Sequence, residues 1–443
     1  VALLSRRGNS LHLFKSMRNR SPWLWLPSLC FAEGLSHVTI AVLAIEIYMQ
    51  LGLSDAAITF YTAWLYLPWV IRPFWERFLL LYQTKRWWIV ATQLLLGAAY
   101  SGVAFTLQAA WWLQGTFFFF SLIAFSSASH DVAIDSFFKR AFQHYDSDDV
   151  IFIRRIFYRF ALMMGKGLLI MIAGVVQVMF RYQIRFSWSL IFYGLTGLFL
   201  AFSLYHYYML PSAHREDNPI SQPLSRTIIY SFWRGLGAFF RQRSFVSSIA
   251  FLLLFRLPEA LYMPISQLFL QAPPSRGGLG LAPQEFGLVN GTVGVIGLLL
   301  GGIVGHAAIR RFGWRKMLWP MVAATTVPNV LNVWLAYAMP SSLFAIGSSM
   351  FVVNMGYGLG LCAYLYFISY FSVGKHREHH YSICLGLMSF SMMWPAFFAG
   401  TLSDMLGYRQ FFIVLLVLCL LPVVATALLK IKGDFGKEEC ETA

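Results

Sequence analysis

Apolar residues run through this chain in blocks of roughly 20, broken by short polar or basic stretches, which is the pattern of membrane-crossing helices. The blocks fall at 23–49, 56–80, 87–107, 112–138, 151–180, 186–210, 245–270, 285–309, 316–338, 342–372, 379–404 and 409–431. At a rise of about 1.5 Å per residue, each can cross a hydrocarbon core about 30 Å thick. The pattern predicts an all-α membrane protein of about twelve transmembrane helices, because helices satisfy their own backbone polar groups inside lipid. The longest polar interruption, 211–244, separates six spans from six. Trp233, Phe239 and Phe240 stand there among basic residues, and this predicts an amphipathic helix on the membrane surface. The expected organisation is a basic segment 1–22, a first half 23–210, the linker 211–244, a second half 245–431 and a tail 432–443.

Two six-helix halves related by a pseudo-two-fold axis is a layout that resembles the major facilitator fold. Local sequence agrees. Gly301-Gly302-Ile303-Val304-Gly305 followed by Arg310-Arg311-Phe312-Gly313-Trp314-Arg315-Lys316 resembles the glycine-rich, basic-ended loop after the eighth helix of such proteins. Gly291, Gly294, Gly297, Gly301 and Gly305 recur every three or four residues, a face that lets a neighbouring helix approach closely.

Composition fits a bilayer. Of 443 residues, 58% are hydrophobic and 12% charged, and the mean hydropathy is +0.61. The net charge of +15 is distributed by loop. Arg6, Arg7, Lys15, Arg18 and Arg20 precede the first span, and Lys85, Arg86, Lys139, Arg140, Arg154 and Arg155 border later loops of the same side. Arg215, Arg226, Arg234, Arg241, Arg243, Arg310, Arg311, Arg315, Lys316, Lys375, Arg377, Lys430 and Lys432 continue the series. Opposite loops carry only Arg181, Arg185, Arg276 and Arg409. The positive-inside rule then places both termini in the cytoplasm. Scattered basic residues without a binding module argue against a nucleic-acid partner. Cys30, Cys362, Cys384, Cys419 and Cys440 form no metal-ligand or disulfide pattern, and no signal peptide is expected before Pro22.

Charge inside the spans carries the chemistry. Asp131 and Asp135 sit at i and i+4 on one face of the fourth span. A charge at the bilayer centre costs from about 2.5 to more than about 10 kcal/mol, so two on one face point to protons, ions or a charged solute. Spans four and five meet in a loop near Asp146, which puts Asp135 and Arg155 at similar depth and Asp131 and Arg159 about one turn deeper. An Asp131–Arg159 ion pair is expected. It would either tie or gate the helices, or act as a protonation switch broken during alternating access. Lys166, between Gly165 and Gly167, is too deep to reach an interface. It either meets a solute anion or pairs with Glu33 or Asp131. Glu46, near the far end of span one, is expected to be solvated. Arg72 lies between Pro68 and Pro73, and Arg256 and Glu259 are spaced to neutralise one another. Trp64, Tyr66, Trp69, Asn329, Asn332, Asn354, Tyr357, Tyr364 and Trp394 offer the aromatic faces and amides that suit sugars, although most aromatics in such a chain pack or face lipid. Ser129-His130-Asp131 is not a triad, since consecutive helical residues point about 100° apart. His376-Arg377-Glu378-His379-His380 is expected to be a solvated loop rather than a metal site.

These motifs together resemble the AmpG-type muropeptide permeases, a major facilitator branch similar also to acetyl-coenzyme A transporters. The signature is Ala128-Ser129-His130-Asp131-Val132-Ala133-Ile134-Asp135, supported by Tyr158-Arg159, by Leu67-Pro68-Trp69-Val70-Ile71-Arg72 with Trp75, by Arg256-Leu257-Pro258-Glu259-Ala260, and by Glu285-Phe286-Gly287-Leu288-Val289-Asn290. Departures are Glu76-Arg77 in place of a later Asp-Arg pair, Val353 at an acidic position, and Lys166, which has no counterpart. The resemblance implies a monomeric, multi-pass protein of the bacterial inner membrane, with no enzyme activity, metal or cofactor. It would import anhydromuropeptides or a related amino sugar or oligosaccharide together with protons. Asp131, Asp135 and Glu33 would carry coupling and Arg159 and Arg155 the gate. Arg72, Lys166, Arg256, Glu259, Asn354, Trp69 and Tyr357 would meet the solute. Alternatives are a carrier for an unrelated anionic solute, a membrane sensor without flux, or a membrane-bound transferase.

Overall fold

Helices begin where a short polar side chain can accept a hydrogen bond from an otherwise unpaired backbone N–H. Ser54 accepts from the Ala57 amide, Thr84 from that of Trp87, and Ser342 from that of Ala345. They end where glycine adopts a backbone that other residues resist. Gly313, at φ 85°, closes the eighth span, and Gly407, at φ 72°, breaks the stretch Arg377–Leu418 between the last two predicted spans. The computed structural model describes residues 22–82, 84–141, 147–211, 233–241, 244–374 and 377–429. The basic N-terminal segment, most of the linker, Lys375, His376 and the tail lie outside the described residues, as do the side chains of Lys139, Arg140 and Arg155.

Among the described residues, nine helices are long and apolar enough to cross a membrane. Leu26–Gln50, Lys85–Thr106, Trp112–Phe138, Ile156–Met179, Ile184–Met209, Phe245–Gln271, Pro283–Phe312 and Leu343–Phe371 match predicted spans one by one, and Arg377–Ala427 covers the last two. Spans two and nine fall on interrupted helices instead. The first is broken into Asp55–Trp64, Leu67–Val70 and Arg72–Tyr82, the second into Trp314–Thr326 and Val330–Ala338 around a 3-10 turn. Pro68, Pro73 and Pro328 sit at those breaks, where a missing N–H and a clashing ring interrupt the ladder. Three helices widen locally into π turns: Thr39–Leu43 in span one, Met164–Leu169 in span five and Gly287–Val293 in span eight.

The chain forms two compact units, and their boundaries cut through helices. One unit holds residues 1–38, 74–161 and 188–229. Its core gathers Trp25, Leu29, Cys30, Ile134, Phe137 and Phe138. The other holds 39–73, 162–187 and 230–443, with a core of Phe239, Phe251, Trp314, Tyr364 and Phe367. There Trp314 Nε1 donates to the Ala363 carbonyl at 3.1 Å, and the Tyr364 hydroxyl to that of Leu252 at 2.6 Å. The glycine face of span eight packs on span ten. A Cβ at Gly301 would collide with the Met355 carbonyl, and one at Gly358 with that of Leu298. Residues 233–240 are helical, with Phe239 buried and Trp233 and Phe240 exposed. His380 packs against Phe239, ring centroids 5.7 Å apart, and is buried. That corrects the expectation of a solvated histidine loop, because the linker helix covers it.

Candidate functional site

In the first unit Arg154 of span five joins two carboxylates, the buried Glu33 and the half-buried Asp135. Its Nη2 donates to Glu33 Oε1 at 2.6 Å and its Nη1 to Asp135 Oδ1 at 2.7 Å. The guanidinium also lies over the Phe138 ring, 5.2 Å from the centroid. A planar fork of N–H donors suits this bridging role, which an ammonium could not fill with the same geometry. One turn further along, Tyr158 stands within electrostatic reach of Asp131, Glu33, Arg159 and Arg154. The His37 ring is 6.3 Å from it. Span one can approach because Gly34 carries no side chain; a Cβ there would strike the Tyr158 carbonyl and Ala161. Glu33, Asp131, Arg154 and Arg159 thus gather around Tyr158, with Asp135 joined to them through Arg154.

The sequence picked out these carboxylates but not Arg154 as the partner of Glu33 and Asp135. Glu33 pairs with Arg154, not with Lys166, and the cation on Asp135 is Arg154. Neighbouring residues on a helix share depth and differ by about 100° in direction. Sequence alone cannot fix that phase across a loop. Arg154 had been counted only as a loop-flanking charge.

A second polar line lies in the same unit. Ser28 Oγ is 3.0 Å from His206 Nε2, His206 Nδ1 donates to Gln93 Oε1 at 2.9 Å, and Gln93 Nε2 donates to His130 Nε2 at 3.0 Å. His130 therefore turns its ring towards Gln93, away from any triad role. Ser36 and Ser127 share a further hydrogen bond at 2.8 Å.

The remaining sequence candidates belong to the second unit. Arg256 donates from Nε and Nη2 to both oxygens of Glu259, each at 2.7 Å. Beside this pair is a small cavity lined by Phe255, Pro258, Thr325, Thr326, Tyr357, Gly360 and Pro422. Tyr357 donates its hydroxyl to Asn329 Oδ1 at 2.7 Å, and Asn332 donates to the same oxygen at 3.2 Å. Asn354 donates to the Met350 carbonyl of its own helix. Trp69 and Arg72 are buried. Lys166 lies in the π turn of span five, half-buried and without an ion pair among the described residues. Its carbonyl and the Gly167 backbone lie against Gly291 of the facing π turn. π turns concentrate at functional positions.

Glu46 is the largest correction. It is 0% exposed, not solvated. Gln50 Nε2 donates to its Oε1 at 2.8 Å, and Gln267 and Gln271 donate to Oε2 at 2.8 and 2.7 Å. Gln177 of span five donates in turn to Gln50 Oε1 at 2.6 Å. The pair Gln267 and Gln271, at i and i+4 on span seven, was the sequence signal for this site.

Solved structures share this architecture. Over 93% of the chain it superposes on 98% of a D-xylose-proton symporter with a TM-score of 0.70 at 10% identity. Over 92% it matches 99% of the nucleoside transporter NupG with a TM-score of 0.62 at 12% identity. The protein is thus a multi-pass membrane protein of the major facilitator fold. Within that class it belongs to the BT1 family, whose pattern matches residues 31–369. It is similar to the anhydromuropeptide permease of Escherichia coli K12, 20% identical over 329 residues. That match covers 74% of the chain and 62% of the permease's length.

Proposed function

We propose that this protein is a secondary transporter that imports an anhydromuropeptide, or a related amino sugar or oligosaccharide, with protons by alternating access. Both termini would lie on the cytoplasmic side of a bacterial inner membrane, as the basic loops favour. The observation that carries this is the charge cluster on spans one, four and five. Glu33, Asp131 and Asp135 stand against Arg154 and Arg159, and Arg154 already serves two of the carboxylates. Such a cluster holds several ionisable groups together in a segment where charge is costly, so gain or loss of a proton there would shift its balance. Asp131 takes the coupling role, since it lies one helical turn from Asp135 and within electrostatic reach of Tyr158. Lys166, which has no ion pair among the described residues, offers a cation to solute carboxylates. The name of the permease relative supplies the solute class. A second reading, a carrier for another anionic solute such as a coenzyme A ester, is favoured by Lys166 alone.

Reconstituted protein should accumulate a labelled anhydromuropeptide when a pH gradient is imposed, and exchange it without one. Asp131→Asn is expected to abolish accumulation while leaving exchange and the unfolding temperature near wild type. Uphill uptake by that variant equal to wild type would remove Asp131 from the coupling role. Uptake of an anionic solute and not of the muropeptide would favour the second reading.

A further inference from the structure

Span one carries two carboxylates in different surroundings. Glu33 has a guanidinium; Glu46, about 20 Å further along at 1.5 Å per residue, has only amides. Its three donors come from Gln50 on its own helix and from Gln267 and Gln271 on span seven. Gln267 also donates to the Val42 carbonyl of span one at 3.2 Å. Spans one and seven are therefore joined here through a buried carboxyl group.

We infer that Glu46 is a proton-binding site whose occupancy is linked to the closure of span one on span seven. The inference rests on the transporter reading for its role in a cycle, but not for the site itself. Two of the three donors belong to span seven, so they exist for Glu46 only while the helices are together. When they part, water replaces Gln267 and Gln271. The carboxyl group thus meets different solvation in the two arrangements, and its proton affinity must differ between them. Linkage is reciprocal, so a bound proton biases the contact as much as the contact biases the proton.

The geometry also shows what a proton would change. A carboxylate accepts all three N–H groups, whereas a protonated carboxyl has an O–H that needs an acceptor. Among the described residues the side chains that bear on Glu46 are amides. Gln177 reaches it only through Gln50, and Asp55 and Tyr61 of span two, Lys166 of span five, and Glu259 and Tyr262 of span seven make no ion pair or hydrogen bond with it among the described residues. Among the described residues no cation is paired with Glu46, whereas Arg154 is paired with Glu33.

The test needs no solute. Full-length protein is reconstituted with its native cysteines replaced and spin labels attached at Leu53→Cys and Ser275→Cys, beyond the ends of spans one and seven. The label distance is followed across a pH series, and infrared difference spectra over the same series record protonated carboxyl bands. Glu46→Gln is expected to lose one carboxyl band and the pH dependence of the distance, while Glu46→Asp, which keeps a carboxyl group, retains both. A Glu46→Gln protein with the wild-type band and the wild-type distance response would overturn the assignment. Failure of wild-type uptake would count against the transporter reading and leave these two readouts intact.

Discussion

Arg154 holds two carboxylates with one guanidinium, so its removal is felt on two helices at once. Arg154→Met keeps the apolar stem and removes one charge-assisted bond from each of Glu33 and Asp135. Loss of these charge-assisted bonds should lower stability by about 2 kcal/mol in detergent-solubilised protein, measured by thermal or chemical unfolding. Arg154→Lys should recover only part of this, because an ammonium cannot present the fork. At this scale the sequence was informative about which residue types are buried. Asp131, Asp135, Glu33, Arg256 and Glu259 were all singled out from their positions inside apolar blocks, and the Arg256–Glu259 spacing gave their pairing directly because both sit on one helix. Partners on different helices were not legible. Helix phase and side-chain reach bring Arg154 to Glu33 and Asp135, and neither is written in a hydropathy pattern. Glu46 was misplaced for a related reason. Nearness to a span's end suggested water, but span seven covers it.

Helix contacts in lipid depend on thin residues where backbones must touch. Gly301 and Gly302 are adjacent on span eight and give an internal control. A Cβ at Gly301 meets the Met355 carbonyl, whereas one at Gly302 meets nothing within 4 Å. Gly301→Ala should cost about 1–3 kcal/mol through overpacking. Gly302→Ala should be neutral or stabilise by up to about 1 kcal/mol through helix propensity. Monodispersity and melting temperature in detergent would read the difference, and equal effects at the two sites would contradict the packing described. The elements themselves were largely legible, since hydropathy blocks and helices coincide within a few residues for most of the chain. The interruptions in spans two and nine were not predicted, although Pro68, Pro73 and Pro328 mark them. Nor were the π turns. No residue type specifies them, and they arise from how helices one, five and eight meet their neighbours.

For the molecule as a whole, the all-α major facilitator fold followed from block length and number, because lipid leaves few other solutions. The division into compact units did not follow. It cuts spans one, two and five at Val38, Pro73 and Ala161, where a boundary drawn at the polar linker cannot see it. Orientation is a property of the entire chain and can be checked directly. In a background without native cysteines, a thiol reagent that cannot cross the membrane should label Ser275→Cys in intact cells and reach Arg315→Cys only after permeabilisation. The reverse result would invert the topology inferred from basic residues.

The meeting of Gly167 with Gly291 has one more consequence. With bare main chain on both sides, no side chain cushions the two helices there, and a methyl group added at Gly291 would wedge them apart. Lys166 would shift with that wedge, since its own carbonyl forms part of the contact.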